Sequence, residues 1–167
     1  MIYYTSFETV FGIIGLIRNK KGLLNIYLPN EMLYEKKLHK QYPNQELIEN
    51  NLKFKHEIKQ LNEYFNGDRT NFELDIDLIV SPFYKKVLIE VSKIPYGITS
   101  TYSDIAKKLN NPKAIRAVGS ANARNPLPIV IPCHRIVNKS GKLGGYRGGL
   151  KMKEKLLKFE SYNINNN

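Results

Sequence analysis

The sequence predicts an α+β protein: a small αβ N-terminal domain with a short antiparallel sheet, followed by a mainly helical C-terminal domain with a winged-helix-like helix-turn-helix. Three observations carry this reading. β-prone runs parted by turn residues fill the first 28 positions. Helices with hydroxyl caps and N-terminal prolines fill the second half. The charge divides along the same line: residues 1–80 hold 10 Lys+Arg and 11 Asp+Glu, whereas residues 81–167 hold 16 and 4.

In the N-terminal part, Ile2–Phe7, Gly12–Arg18 and Leu23–Leu28 read as strands. They are separated by Gly12, by Asn19-Lys20-Lys21-Gly22 and by Pro29-Asn30. Residues 31–42 and 45–66 are polar with apolar residues at helical intervals (Leu47, Leu52, Ile58, Leu61, Phe65), and Asn66-Gly67-Asp68 supplies a C-cap and turn. Phe72, Leu74, Ile76 and Leu78 alternate with Glu73, Asp75 and Asp77, the period of a half-buried strand. A boundary is expected at Val80-Ser81-Pro82, giving domains 1–80 and 81–162 and a frayed tail 163–167.

In the second part, Ser81 and Pro82 are an N-cap and N1 proline for a helix ended by Pro95-Tyr96-Gly97. Thr101 caps a short helix, with Asp104 near its positive end. Asn110-Asn111 turns the chain, and Pro112 stands at N1 of the next helix. The pair makes a helix-turn-helix. Projected at 100° per residue, Ala114, Ile115, Val118, Ala121 and Asn122 share one side of the second helix; Arg116, Gly119, Ser120 and Ala123 share the other. One cation among very small side chains can lie close to a phosphate backbone, although an Ala-rich helix packed on both sides would show the same pattern.

Composition excludes several classes. At 42% hydrophobic residues the chain is not wholly disordered. No apolar run approaches the roughly 18 residues of a membrane span, and no basic-then-apolar leader opens the sequence. A single cysteine closes no internal disulfide, so a reducing, cytoplasmic setting is expected. The formal charge of +11, all of it from the second half, attracts polyanions.

The chemistry concentrates in Pro126-Leu127-Pro128-Ile129-Val130-Ile131-Pro132-Cys133-His134-Arg135-Ile136-Val137. Three prolines deny this segment a helix, and its apolar character sends it through the interior as an extended strand. A nucleophilic thiol needs a base or a nearby cation, and His134 and Arg135 supply both types. In an extended chain His134 and Cys133 point to opposite sides, so contact requires a bridging water or a sharp turn at Cys133. A buried cysteine can equally be core filler. Five glycines among residues 141–149 surround Tyr146 and Arg147, a loop able to approach a ligand closely. The terminal helix ends at Glu160, a carboxylate that could fix a tautomer of His134.

Pro132-Cys133-His134-Arg135-Ile136-Val137, with Asn111-Pro112-Lys113-Ala114-Ile115-Arg116-Ala117-Val118-Gly119 and Gly145-Tyr146-Arg147-Gly148-Gly149-Leu150, resembles the 6-O-alkylguanine-DNA alkyltransferases. These are also called methylated-DNA–protein-cysteine methyltransferases. The resemblance covers residues 82–160 closely and the N-terminal strands loosely.

The resemblance implies repair by direct reversal. A 6-O-alkylguanine, or a 4-O-alkylthymine, is flipped out of double-stranded DNA held in its minor groove by the helix-turn-helix. Its alkyl group passes irreversibly to Cys133. His134 takes the thiol proton through a water, Glu160 orients His134, Tyr102 donates to guanine N3, and Lys153 stabilises the leaving oxygen. Arg116 fills the vacated stack, with Ala117, Ser120, Ala123, Arg124 and Thr101 on the DNA. Pro128, Val137, Tyr146, Arg147 and Gly148 frame the pocket, and Asn125 braces the acceptor turn. No metal or organic cofactor is implied. The chain is expected to act once, as a monomer able to bind cooperatively along DNA, with no membrane partner, in the cytoplasm (on the nucleoid of a prokaryote, in the nucleus of a eukaryote).

This chain departs from the family at three points. Arg147 stands where some members have a small residue, Asn122 is polar on an apolar face, and the N-terminal zinc ligands of some relatives are absent. Two other classes stay open: an idle lesion sensor with the same DNA-binding surface, against which Cys133 itself argues, and a cysteine hydrolase, which would regenerate its thiol.

Overall fold

The computed structural model describes residues 1–31 and 34–166. The chain divides into two compact units, Met1–Ile79 and Val80–Asn167.

The first unit is built on a four-stranded sheet. Strands β1 (Ile2–Thr9), β2 (Gly12–Arg18) and β3 (Leu23–Tyr27) form an antiparallel meander. The β1–β2 turn depends on Gly12: its φ is 113°, and a Cβ there would stand 2.9 Å from Pro29 Cβ. Helix α1 (Tyr34–Gln41) precedes a short strand β4 (Leu47–Glu49), and a 3-10 turn (Asn51–Phe54) leads into α2 (Lys55–Asn66). The order is β3-β2-β1-β4. Ile14, Leu16, Ile17 and Ile26 are buried in the sheet, and Phe54, Leu61 and Tyr64 are buried on the segments that follow it. Gly67, at φ 86°, ends α2, and Asp68 N–H reaches back to Glu63 O in a Schellman-type close.

Two expectations for this unit need correction. Residues 45–66 do not form one helix. Leu47–Glu49 pairs parallel to β1, so the sheet is mixed, and the Asn50 side chain accepts from Leu52 N–H to start the turn. Residues 72–78 do not form a regular strand: they meet β3 at a single bridge, Leu23 with Ile76. Leu23 holds the segment by its backbone, to Asp75 O and Asp77 N–H, and Asn19 Nδ2 donates to Asp77 Oδ2 at 2.7 Å. In the first expected helix, residues 32 and 33 lie outside the described residues.

The second unit packs α3 (Pro82–Ser92), α4 (Tyr102–Lys108) and α5 (Ile115–Ala123) around Val87, Leu88, Val91, Ile105, Ala106, Val118 and Ala121. Ser81 caps α3, and a capping box joins Thr101 and Asp104 at α4. Strand β5 (Ser100–Thr101) runs parallel to β6 (Ile136–Val137), and α6 (Leu150–Asn166) closes the unit. Helix α5 begins at Ile115 rather than Pro112, because residues 111–114 close a turn in which Ala114 N–H donates to Asn111 O. Ile115, expected inside, is 43% exposed. Residues 163–166, expected as a frayed tail, extend α6. Asn163 Nδ2 donates to Tyr96 Oη at 3.0 Å, and Ile164 packs against Gly97. Residue 167 lies outside the described residues. No helix among the described residues is long and apolar enough to cross a membrane.

Candidate active site

The segment that leads to Cys133 is shaped by Asn125. Buried Asn125 accepts from Leu127 N–H through Oδ1 at 3.0 Å and donates from Nδ2 to Ile131 O at 2.8 Å. Ile129 is held at φ 77°, a left-handed conformation costly for a β-branched residue. The chain is not extended at Cys133. Pro132 sits at φ −79°, ψ 61°, and Cys133 N–H donates to Ile131 O at 2.7 Å, an inverse γ-turn. A 3-10 turn, Cys133–Arg135, follows at once. This supplies the sharp turn that the alternation argument required. It opens into β6, which seats Val137 beside Thr101 at the start of α4.

Cys133 is 2% exposed. Burial pushes its thiol up, and Asn125, Arg147 and Lys153 oppose that shift. His134, fully buried, directs Nε2 to Glu160 Oε1 at 2.8 Å. Burial works against the charge of Glu160, but hydrogen bonds and charge from His134 and Arg135 outweigh it and bring the carboxyl down to about 2. An ionised carboxylate only accepts, so Nε2 carries the proton and Nδ1 presents a lone pair. Nδ1 is buried without a hydrogen-bond partner. Burial also holds the imidazole below its ordinary value, against the pull of Glu160. The ring is therefore a neutral base with its tautomer fixed.

Arg135 does not support the thiol as the sequence suggested. The 3-10 turn sends it to Glu160, where Nε donates to Oε2 and Nη2 to Oε1, each at 2.9 Å. Its Nη1 donates to Ile94 O at 2.6 Å, and its guanidinium lies 5.5 Å from the Tyr96 ring centroid. Gly97 N–H completes the set on Glu160 Oε2 at 2.9 Å.

Lys153, buried on α6, donates from Nζ to Ile136 O at 2.5 Å and to Gly144 O at 3.2 Å; burial lowers its ammonium to about 8. Tyr102 opens α4 with its ring between two glycines. A Cβ at Gly119 would stand 3.9 Å from the ring, and one at Gly144 2.4 Å from the hydroxyl. Arg147 Nη1 donates to Asn125 O at 2.9 Å, and the half-buried Tyr146 ring stands edge-on to His134 at 6.4 Å. Pro128 is buried, and Gly148 is half-buried in the same loop as Tyr146.

The other expected residues line the outer part of the helix-turn-helix. Arg116, Ala117, Ala123 and Arg124 are exposed, and Ser120 is half-buried. Arg124 Nη1 donates to Tyr84 Oη at 3.0 Å and also contacts Ser120 Oγ, which is 2.9 Å from Tyr84 Oη. The Thr101 hydroxyl is committed to the α4 capping box. Sequence reasoning missed Tyr84, which has no local signal; it read Gly97 only as part of a helix terminator and Gly144 only as one of five loop glycines. It noted Asn122 only as an anomaly: the side chain is buried, and Nδ2 donates to Cys133 O at 3.2 Å. Among the described residues no three His, Cys, Asp or Glu side chains group as metal ligands.

Residues 82–162 match the family model of the 6-O-methylguanine DNA methyltransferase DNA-binding domain, and residues 2–78 match that of its ribonuclease-like domain. The chain belongs to this methyltransferase family. It is 42% identical over 159 residues to the methylated-DNA–protein-cysteine methyltransferase of Methanosarcina acetivorans, covering 95% of this chain and 98% of the relative. It is 38% identical to the constitutive methyltransferase of Bacillus subtilis, covering 96% of each. The 6-O-methylguanine methyltransferase structure from Mycobacterium tuberculosis superposes with a TM-score of 0.86 at 34% identity, over 98% of this chain and 94% of that one. The same organism's OGT in complex with DNA gives 0.86 at 33% identity, over 96% and 94%. Both halves of the fold, and not the Pro132–Val137 motif alone, are those of the methyltransferase family.

Proposed function

We propose that this chain repairs DNA by moving the alkyl group of a flipped 6-O-alkylguanine onto Cys133, once per molecule. The observation that carries the reading is the buried His134 Nδ1 lone pair beside the Cys133 turn, held in that tautomer by Glu160. A bridging water passes the thiol proton to Nδ1. Sγ then attacks the alkyl carbon: the S–C bond forms, the C–O bond breaks, and its electron pair moves into the purine. Tyr102 gives the base a proton at N3, and the Lys153 ammonium lies close enough to favour both thiolate and leaving oxygen.

Burial alone makes Cys133 a poor thiolate. Its activation belongs to the assembled site, in which His134 takes the proton as the alkyl carbon is presented to Sγ. The product is an uncharged thioether, a bond that water does not hydrolyse, so the step is terminal. The remaining assignments follow the same reading: Arg116 enters the vacated stack, and Ala117, Ser120, Ala123 and Arg124 lie along the backbone near Thr101. Pro128, Val137, Tyr146, Arg147 and Gly148 frame the base. The Arg147 bond to Asn125 O gives that loop a fixed anchor, which narrows its freedom to admit a bulky alkyl group. Units 1–80 and 81–162 act as support and as DNA-binding acceptor domain, in a monomer on double-stranded DNA.

Stoichiometry tests the proposal. With excess duplex carrying 6-O-methylguanine, lesion loss is expected to stop at about one equivalent per chain. Continued turnover overturns the single-use reading, and lesion binding without loss would make the chain a sensor.

A further inference from the structure

Asn122 occupies a position where the α5 pattern calls for an apolar residue, and it is buried there. One N–H of its amide is used on Cys133 O at 3.2 Å, while Oδ1 is buried with no hydrogen-bond partner. An orphaned buried amide oxygen is destabilising, a penalty that a leucine would avoid. The amide has a second N–H, and the Tyr102 phenol lies within its hydrogen-bonding reach. That ring is slotted between Gly119, three residues before Asn122 on α5, and Gly144 on the opposite loop. Burial and the neighbouring Cys133 raise the Tyr102 phenol, and a hydrogen bond from the Asn122 side chain opposes them. Lys153 and Arg147 face Cys133 in turn.

We infer that Asn122 is a positioning residue that ties the Tyr102 hydroxyl to the Cys133 turn, so that proton donor and alkyl acceptor are held in one register. The inference rests on the proposed alkyl transfer, with Tyr102 as donor to the departing base. As the phenol gives its proton to N3, its oxygen gains negative charge, and the second N–H of Asn122 goes on donating to it. No bond of Asn122 breaks; a neutral hydrogen bond becomes a charge-assisted one. The Cys133 carbonyl stays on the other N–H throughout, which keeps the turn from drifting as the thioether forms.

The test is a double-mutant cycle on the full chain, read as single-turnover methyl transfer at saturating protein. Asn122→Leu is expected to slow transfer about tenfold while leaving affinity for the lesion duplex within about twofold. In a Tyr102→Phe background the same substitution is expected to slow transfer clearly less than in wild type, because the hydroxyl it serves is gone and only the bond to Cys133 O is left to lose. Labelling of Cys133 by iodoacetamide, which needs no proton for a leaving base, is expected to stay within about twofold of wild type. Asn122→Asp keeps the volume and removes the donor, so it is expected to slow transfer as well, and it serves if the leucine variant fails to fold. An unchanged rate, equal slowing with and without Tyr102, or parallel loss of iodoacetamide labelling overturns the inference. A wild-type chain that leaves the lesion intact overturns the alkyl-transfer reading itself, a result distinct from any of these.

Discussion

His134 and Glu160 lie 26 positions apart and meet at 2.8 Å with both side chains fully buried. Glu160 accepts from Arg135 and from Gly97 N–H as well, so one carboxylate gathers the acceptor turn, the loop after α3 and the last helix. That convergence fixes the carboxylate rigidly and therefore fixes the imidazole tautomer.

Removing the charge of Glu160 should cost both chemistry and stability. Glu160→Gln is expected to slow single-turnover methyl transfer by about a hundredfold and to lower unfolding free energy by about 3 kcal/mol, because Arg135 is left buried without its anion. Urea unfolding and quench-flow transfer measure the two effects separately.

Stability should fall on acidification, in a defined order. Burial holds His134 below its ordinary 6.5, and its partners take Glu160 from 4.5 to about 2. Both shifts are downward, so the unfolded chain binds more protons than the folded one at acidic pH. The stabilisation is complete above about 6.5. It begins to be lost as His134 protonates in the unfolded state, and the loss continues from 4.5 toward 2 through Glu160. Unfolding midpoints taken from about pH 8 to about pH 3 should show that fall, and Glu160→Gln should flatten its acid end.

The slot around Tyr102 should tolerate no side chain at its hydroxyl end. A Cβ at Gly144 would stand 2.4 Å from Tyr102 Oη, whereas one at Gly145 would meet nothing within 4 Å. Gly144→Ala is therefore expected to slow transfer about tenfold or more and to destabilise by about 1–3 kcal/mol through overpacking. Gly145→Ala is the matched control and should match wild type in both assays.

Arg116 stands exposed on the outer part of α5. Arg116→Ala should reduce the fluorescence gain of a 2-aminopurine placed beside the lesion by more than it reduces binding to undamaged duplex. An unchanged signal at saturating protein would remove the role of Arg116 in the stack.

The features legible in the sequence are those that local chemistry decides. The Ser81-Pro82 start, the Thr101–Asp104 box and the Gly67 close depend on residues within a turn of one another, and the structure keeps all three. Three prolines correctly placed residues 126–132 outside a helix, yet the same reasoning extended the strand through Cys133. The inverse γ-turn there depends on Asn125 holding the Leu127–Ile131 loop, a set of buried bonds with no periodic signature. Strand β4 was missed because three residues carry too little pattern, and its pairing with β1 is a long-range event. Arg135 was assigned to the thiol on sequence adjacency alone; a 3-10 turn rotates successive side chains by about 120° and carries it to Glu160 instead.

The most direct test of this account is intact mass after incubation with a duplex containing one 6-O-methylguanine, followed by peptide mapping. A single gain of about 14 Da is expected, located on Cys133, reaching one methyl per chain and absent in Cys133→Ser. A methyl on another residue, or methyl loss from DNA by the serine variant, would contradict it.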